Sequence, residues 1–213
     1  MNDKPLTKFT TEELARELTG RDDLFEGALL KYEVYKLSVE LGIPPCVDGV
    51  AVRKRDGIVE AMAIRRNTGP YTGKLCSVGG RIFFEESFEV AMRRQFTSDL
   101  GCEIEFITPW DRPAFVHQFM RPRADGTLLP DFGPEPTRRH NMTIVYLVRL
   151  LSEKFTFGST THGGQEAGGV EWFSLETMPP ASEFGYGQDI YFKKCLQLAG
   201  SPQMANFFVT GPL

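Results

Sequence analysis

Residues 79–101, GGRIFFEESFEVAMRRQFTSDLG, constrain the fold more strongly than any other part of the sequence. Two glycines open the segment, and apolar residues three or four positions apart follow until a closing glycine. This spacing predicts a helix from about Phe88 to Leu100 that stops at Gly101, because glycine readily adopts the left-handed conformation that ends helices. The segment therefore predicts a strand end, a corner formed by Gly79 and Gly80 (the glycine corner) and an amphipathic helix, in direct succession.

One face of the predicted helix carries oxygen-bearing side chains. Gln95, Ser98 and Asp99 are related by three and four positions, so they project from the same side. Beside a glycine with an accessible carbonyl, this face can hold a hard cation, because Mg²⁺ prefers carboxylate, carbonyl and water oxygens. The same residues would also occur on a polar helix face that is simply in contact with solvent. The neighbouring glycine pair favours the cation site, because glycine lets the backbone approach closely and leaves a carbonyl accessible. The opposite face is predicted to pack on a sheet through Phe88, Met92 and Phe96.

The flanking segments predict a mixed α/β domain. Residues 46–67 read as two extended runs around a turn at Asp56 and Gly57, which is a hairpin. A further helix is predicted at residues 189–199, and further strands are predicted at residues 75–78, 103–107, 113–119, 142–151 and 170–175. Residues 11–42 lack proline and read as helices, the second from Leu24 to Leu41. We therefore expect a helical extension over residues 1–43 and an α/β domain over residues 44–213.

Composition excludes several function classes. The formal net charge of −4 gives no basic field, so we expect neither nucleic acid nor an anionic membrane as a partner. The start MNDKPLTKFT has no signal-peptide hydrophobic region, and no apolar run approaches the roughly twenty residues of a membrane span, so we expect a cytoplasmic protein. The scattered cysteines predict buried, reduced thiols at Cys46, Cys76, Cys102 and Cys195.

The spacing of residues 80–101 resembles the signature sequence of the Nudix hydrolase family. Gly80, Glu86, Arg94 and Gly101 occupy its fixed positions without insertion or deletion. The family's Arg-Glu-x-x-Glu-Glu core reads RQFTSD here, so two of the three usual metal carboxylates are absent and the third is shortened. The resemblance implies an α/β Nudix fold, in which a mixed β-sheet is sandwiched between α-helices, preceded here by a helical extension. We interpret Glu86 and Arg94 as a structural ion pair.

The stretch is most similar to the signature of the GDP-mannose mannosyl hydrolases, which also begin with Gly-Gly-Arg and keep only the last acidic position. In that subgroup the last acidic residue and the carbonyl of the first glycine hold one Mg²⁺, and two arginines neutralise the diphosphate. By position the metal ligands become Asp99 and Gly79, and the arginines become Arg81 and Arg66. Mn²⁺ is an alternative cation. The match extends more loosely to Asp48, which we expect to contact substrate.

The resemblance also implies a metal ligand some six residues before Trp172. That distance reaches Glu166, with Gln165 as the neighbouring alternative. The subgroup's catalytic histidine directly follows its ligand, but Ala167 stands there, so the general base does not carry over. His162 in the adjacent glycine-rich loop is our favoured substitute, because imidazole titrates near neutral pH. Each histidine taken singly is more often structural.

These residues lead us to expect Mg²⁺-dependent hydrolysis of a nucleoside diphosphate derivative, with a nucleotide sugar favoured. Water attacking the anomeric carbon suits a site with few carboxylates, because Arg66, Arg81 and one Mg²⁺ then stabilise the leaving diphosphate. Arg138 and Arg139, in the long polar segment 121–140, are further candidates for substrate binding. The same carboxylate losses also fit a Nudix-fold protein that binds or senses a nucleotide with little turnover. We expect the apolar residues 24–41 to form a homodimer contact or to cover the sheet.

Overall fold

A computed structural model describes residues 25–26, 29–30, 45–67, 71–83, 85–119, 141–157 and 167–208. Within these ranges the helices are α1 (Phe88–Leu100) and α2 (Gln188–Ala199), and short 3₁₀ helices span Ala181–Glu183 and Pro202–Phe208. The strands are β1 (Phe25–Glu26), β2 (Leu29–Leu30), β3 (Pro45–Arg55), β4 (Ile58–Arg66), β5 (Leu75–Cys76), β6 (Val78–Arg81), β7 (Ile104–Phe106), β8 (Phe115–Phe119), β9 (Asn141–Leu150) and β10 (Ala167–Phe173).

The long strand β3 organises a mixed sheet. Five strands follow the order β10-β4-β3-β9-β7, and β5, β6 and β8 add to β4, β3 and β9. The pairing of β3 with β9 is parallel, whereas β3 pairs antiparallel with β4 and β6. The first half of β3 thus lies between β6 and β9, where Asp48 is opposite both Gly79 and Val145.

Alternating residues of β3 bury opposite faces of the sheet. On the face covered by α1, Val47 and Ala51 share a core cluster with Met92 and Phe96. On the face covered by α2, Val50 and Val52 belong to a second cluster, which includes Tyr191, Phe192 and Leu196. A strand buried on both faces needs apolar residues in near-continuous runs, and residues 46–52 provide one. The prediction of a mixed sheet sandwiched between helices is confirmed.

The local predictions for the hairpin and for α1 are also confirmed. Asp56 and Gly57 have φ of 51° and 84° and form the two-residue turn between β3 and β4. Helix α1 ends at Gly101, which has φ of 64° and whose backbone N–H donates to carbonyls in the last turn. Phe88 corrects one detail, because it is 41% exposed at the first turn of α1 and does not pack into the core.

The helix predicted from Leu24 to Leu41 is wrong at its start. Phe25 pairs with Leu30, and Glu26 pairs with Leu29, in a two-stranded antiparallel ribbon. Gly27 lies in this stretch, and glycine opposes helix formation because it loses the most backbone freedom. The rest of the expected extension over residues 1–43 lies outside the described residues.

Two expectations from composition concern the thiols and the membrane. All four cysteines are free, and Cys76, Cys102 and Cys195 are buried, whereas Cys46 is partly exposed. Neither described helix combines the length and the apolar character needed to cross a membrane.

Candidate functional site

A pocket of about 130 Å³ opens on the α2 face of the sheet, where the first half of β3 meets β6. Residues far apart in the sequence converge there, because β3 and β9 are adjacent and α2 begins beside β5 and β6. Its polar lining includes Asp48, Arg66, Ser77, Thr143 and Gln188, its aromatic wall consists of Phe119 and Tyr186, and one edge is formed by Gly79 and Gly80.

Asp48 is the buried acidic group of this pocket, with only 8% of the residue exposed. Burial raises the pKa of its carboxyl from 3.8 to about 6, although the hydroxyls of Tyr191, Thr143 and Ser77 and the charge of Arg66 act in the opposite direction. The Tyr191 and Thr143 hydroxyls have no hydrogen-bond partner of normal geometry in the part of the chain that the structure describes. The buried Asp48 carboxyl therefore depends on neighbouring hydroxyls whose hydrogen-bond geometry with it is imperfect.

A side chain does not fit at Gly79, and one at Gly80 would have to displace the end of the Gln95 side chain. A Cβ atom at Gly79 would lie 1.9 Å from Asp48 Oδ1 and 2.4 Å from the Val47 carbonyl oxygen. A Cβ atom at Gly80 would lie 2.5 Å from Gln95 Nε2. The corner thus separates the pocket from the oxygen-bearing face of α1, and both contact it directly.

The oxygen-bearing face of α1 is partly enclosed. Gln95 and Ser98 are half-buried, and Asp99 is 1% exposed with both carboxylate oxygens buried. Asp99 does not line the pocket, whereas Gly79 does. Among the described residues, no group of three or more histidine, cysteine, aspartate or glutamate side chains is placed to hold a metal ion.

Glu86 and Arg94 brace the loop between β6 and α1, as the sequence predicted. Arg94 Nε donates to Glu86 Oε1 at 2.6 Å, and Arg94 Nη2 donates to the Arg81 carbonyl at 3.0 Å. Glu86 Oε2 accepts from the Phe83 backbone N–H at 2.9 Å, and the Arg94 guanidinium lies 3.6 Å from the centre of the Phe83 ring. Burial alone would raise the pKa of Glu86, but its bonds with Arg94 and with Phe83 N–H lower it overall.

Of the predicted site residues that the structure describes, three meet in the pocket and two do not. Asp48, Arg66 and Gly79 line it together. Arg81 is half-buried at the end of β6, opposite Cys46 and outside the lining, and Asp99 is enclosed beside α1. The remaining predicted site residues lie outside the described residues: Arg138, Arg139, His162, Gln165 and Glu166.

Seven lining residues were not anticipated as site residues from the sequence: Cys46, Cys76, Ser77, Phe119, Thr143, Tyr186 and Gln188. Tyr186 carries the clearest missed signal, because it stands between two glycines in the loop before α2. Gln188 Nε2 donates to Ser77 Oγ at 3.0 Å, and Ser77 N–H donates to Gln188 Oε1 at 2.9 Å. This reciprocal pair joins the start of α2 to the pocket, and it has no local sequence signature.

No protein-family model matches the sequence, and no curated protein matches it. Solved structures match the fold. A protein from Jonesia denitrificans, described as a possible asymmetric diadenosine tetraphosphate hydrolase, is similar with a TM-score of 0.59 and 23% identity, over 75% of this chain and 96% of its own.

Two further solved structures extend the likeness. A MutT/nudix family protein from Enterococcus faecalis has a TM-score of 0.51 and 17% identity, over 84% of this chain and 75% of its own. A MutT protein from Methanosarcina mazei has a TM-score of 0.51 and 16% identity, over 75% of this chain and 96% of its own. These similarities concern the arrangement of strands and helices, so the chain has the Nudix fold, with its mixed sheet held between α1 and α2.

Proposed function

We propose that the protein hydrolyses a nucleoside diphosphate derivative, with a nucleotide sugar as the favoured substrate. The observation that carries this proposal is the position of the glycine corner. Gly79 lines the pocket, and Gln95 of α1 lies against Gly80. A ligand with one end in the pocket therefore extends its phosphates along Gly79 and Gly80. The similar protein from Jonesia denitrificans, described as a possible asymmetric diadenosine tetraphosphate hydrolase, supports a nucleotide derivative as the substrate class.

Residues of the glycine corner and of the oxygen-bearing face of α1 would hold one Mg²⁺ or Mn²⁺. Gly79, Gln95, Ser98 and Asp99 each carry an oxygen atom that can bind a hard cation, and Asp99 brings the one negative charge among these four. Mg²⁺ commonly takes one or two carboxylates and completes its shell with water and substrate phosphates. We assign Asp99 and the Gly79 carbonyl as ligands, with Glu166 or Gln165 as a third. The bound cation supplies a Lewis acid that stabilises negative charge on the diphosphate.

The chain's own residues divide the remaining roles. Arg66 lines the pocket, and Arg81 stands at the end of the strand that carries Gly79, so their charges favour the diphosphate leaving group. Arg138 and Arg139 are further candidates for the phosphate or sugar, and His162 is the candidate general base. With these roles, water attacks the anomeric carbon, the bond from that carbon to the diphosphate oxygen breaks, and the nucleoside diphosphate leaves.

The test is turnover of a panel of nucleotide sugars in ¹⁸O-labelled water with Mg²⁺. We expect the label in the free sugar and none in the nucleotide. Asp99→Asn, which keeps the size and removes the charge, should abolish the Mg²⁺-dependent activity. Arg81→Ala should lower kcat/KM on the order of a hundredfold, the scale of one lost stabilising donor. Arg112→Ala, which removes a highly exposed arginine, is the matched control and should leave turnover unchanged.

Label in the nucleotide phosphate would instead assign attack at phosphorus. Retained activity and unchanged metal dependence in Asp99→Asn would contradict the assignment of the ligand.

A binding or sensing protein is the second candidate function. Two observations favour it: amide and hydroxyl groups occupy positions 95 and 98, and both carboxylate oxygens of Asp99 are buried. Tight binding of nucleotide sugars without product release, measured with the same panel, would select this function over hydrolysis.

The N-terminal segment is proposed to join two copies of the chain. Residues 24–41 are rich in apolar side chains. Removal of residues 1–43 should turn a dimer into a monomer or lower solubility, and light scattering measures both. A truncated protein of unchanged mass per particle and unchanged solubility would contradict this role.

A further inference from the structure

We propose that Arg65 is a positioning residue for ligand binding. Its guanidinium joins β4 to β10, to the turn at residues 71–74 and to the loop before α2 (residues 181–187), and these contacts hold the lining of the pocket in place. The inference rests on the proposed function, because it assumes that the pocket receives part of a nucleotide derivative. It gives a role to a residue that does not itself line the pocket.

Arg65 lies at the centre of contacts between three separate segments of the chain. Its Nε donates to Glu171 Oε1 of β10 at 2.7 Å. Its Nη1 donates to the Gly73 carbonyl at 2.5 Å and lies 3.4 Å from Glu183 Oε2 in the loop before α2. A guanidinium carries five N–H donors in one rigid plane, so a single side chain can serve partners in three directions. Arg65 therefore fixes these segments relative to one another.

The loop before α2 reaches the pocket three residues after Glu183, because Tyr186 is part of the lining. A second cation secures the same loop, since Lys74 Nζ donates to the Ser182 carbonyl at 2.7 Å. Arg65 and Lys74 form a cation clamp, which ties the loop to the end of β4 and to the turn that follows it. The clamp grips the loop directly before the residue that enters the lining.

The same turn also holds the backbone of Arg66, which lines the pocket and is assigned to the diphosphate. Arg66 N–H donates to the Lys74 carbonyl at 2.9 Å, and the Arg66 carbonyl accepts from Gly73 N–H at 2.8 Å. The Gly73 carbonyl in turn accepts from the side chain of Arg65. A shift of this turn would therefore move Arg66 relative to the loop before α2, and Arg65 opposes such a shift.

The charge of Arg65 also matters for an anionic ligand. Its guanidinium pairs with the carboxylates of Glu171 and Glu183. Without it, two unpaired carboxylates would remain beside the strand that carries Arg66, where the diphosphate is proposed to bind. Their repulsion would weaken the binding of an anion.

The stability of the fold gives a poor reason for this arrangement. The side chains of Arg65, Glu171 and Glu183 are 36%, 42% and 41% exposed. Ion pairs exposed to this extent are screened by water and contribute little to folding. The three-way contact therefore serves the geometry of the site more than the stability of the chain.

Calorimetry with ADP, GDP and UDP in the presence of Mg²⁺ tests this role on the full chain. Arg65→Met should weaken the tightest of these ligands about tenfold, because binding must then also order the loosened segments. Arg65→Lys restores the charge without the planar fork and should stay within about threefold of wild type. If a nucleotide sugar is turned over, Arg65→Met should raise KM and leave kcat within about twofold. Arg149→Met is the matched control, because Arg149 is a similarly exposed arginine paired with Glu105.

Hydrogen exchange and thermal unfolding separate positioning from stability. Gly185 N–H, in the loop before α2, donates to the Leu75 carbonyl at 2.9 Å. In Arg65→Met this amide should exchange on the order of tenfold faster, whereas the amides of residues 47–52 in β3 should be unchanged. The melting temperature should fall by no more than about 4 °C.

Unchanged affinity in Arg65→Met would overturn the proposal. Weaker binding together with faster exchange at residues 47–52 and a larger fall in melting temperature would overturn it too, because Arg65 would then stabilise the whole fold. If Arg65→Met does not fold, Lys74→Met, which removes the other cation of the clamp, decides the question by the same measurements.

The proposed function can fail independently of this role. None of the three ligands has to be hydrolysed, so a protein without turnover can still confirm the role of Arg65, and an active hydrolase can still refute it. If the wild-type protein binds none of them, the proposed function is refuted. Exchange at Gly185 then decides whether Arg65 holds the loop before α2.

Discussion

On the α1 face of the sheet, apolar side chains pack tightly against a glycine of β3, whereas on the α2 face a cavity lined by polar groups remains open. A Cβ atom at Gly49 would lie 2.4 Å from the Phe96 ring and 2.6 Å from Met92 Sδ. Asp48 directly precedes Gly49 on β3, so its side chain lies on the opposite face of the sheet. Its carboxyl is buried there. Neighbouring residues of one strand thus serve a close-packed interface and a polar pocket.

Within strand β3, the residues on the α1 face contribute to stability, whereas the residues on the α2 face are available for ligand binding. Dense apolar packing lowers the free energy of the folded state, and a buried carboxyl raises it unless a partner compensates. Proteins commonly retain such unfavourable groups where binding or catalysis needs them. Substitutions on the α1 face should therefore destabilise the protein, and removal of the Asp48 charge should stabilise it.

Phe96→Ala should have the largest effect, lowering the free energy of unfolding by about 3–5 kcal/mol. Phe96 is fully buried, and its loss leaves a cavity between α1 and β3. Urea denaturation measures the change. Phe207→Ala, at a position 43% exposed, should cost less than about 1 kcal/mol. A small effect at Phe96 would mean that the α1 face is not the more stabilising one.

Asp48→Asn should raise the free energy of unfolding at pH 8, by up to about 3 kcal/mol. The pKa in the folded state, about 6, lies above the value of 3.8 for an exposed carboxyl. The protonated carboxyl thus contributes stability fully below about pH 3.8, and this contribution is lost as the pH rises through about 6. Urea denaturation at pH 8 and pH 4 should show the advantage of asparagine at the higher pH only. An equal difference at both pH values would refute this linkage.

Gly49→Ala should cost about 1–3 kcal/mol, because the new methyl group overlaps the Phe96 ring and Met92 Sδ. Gly169→Ala in β10 is the matched control, since a Cβ atom there meets nothing within 4 Å. Thermal unfolding of the two variants compares them directly. Similar melting temperatures would show that α1 moves away from the sheet at little cost.

Glu86→Gln should have the smallest effect, about 1 kcal/mol at pH 7, because it replaces charge-assisted bonds with neutral ones. The pKa of Glu86 is lowered in the folded state, so its contribution is present above the unfolded pKa and is lost as the pH falls through the folded one. Urea denaturation should therefore show a difference that shrinks in acid. Glu89→Gln, from an exposed pair with Arg93, should change stability by only a few tenths of a kcal/mol.

A feature could be predicted from the sequence when its residues lie close together along the chain. Helix α1 was predictable because periodicity, the cap at Gly101 and the glycine corner all lie within one short segment. The hairpin was predictable from Asp56 and Gly57 for the same reason. The helix predicted from Leu24 failed at residues 25–26 and 29–30, where pairing between strands prevailed over apolar spacing.

The pocket was only partly predictable. Asp48, Arg66 and Gly79 were reached through resemblance, and Arg81 and Asp99 proved to lie outside the lining. The wall of Phe119 and Tyr186 joins residues from β8 and from the loop before α2, which no local pattern connects. The burial that raises the pKa of Asp48 likewise depends on the tertiary structure.

The parallel pairing of β3 with β9 has a consequence for the order of folding. The β3–β4 hairpin joins neighbouring residues through a two-residue turn, so it can close within microseconds. Asp48 and Val145, by contrast, come together only after most of the intervening chain has been brought into a loop. Such long-range contacts slow folding, and we expect the β3–β9 ladder to form late. The part of the pocket that contains Asp48 would then form after the β3–β4 hairpin in a newly made chain.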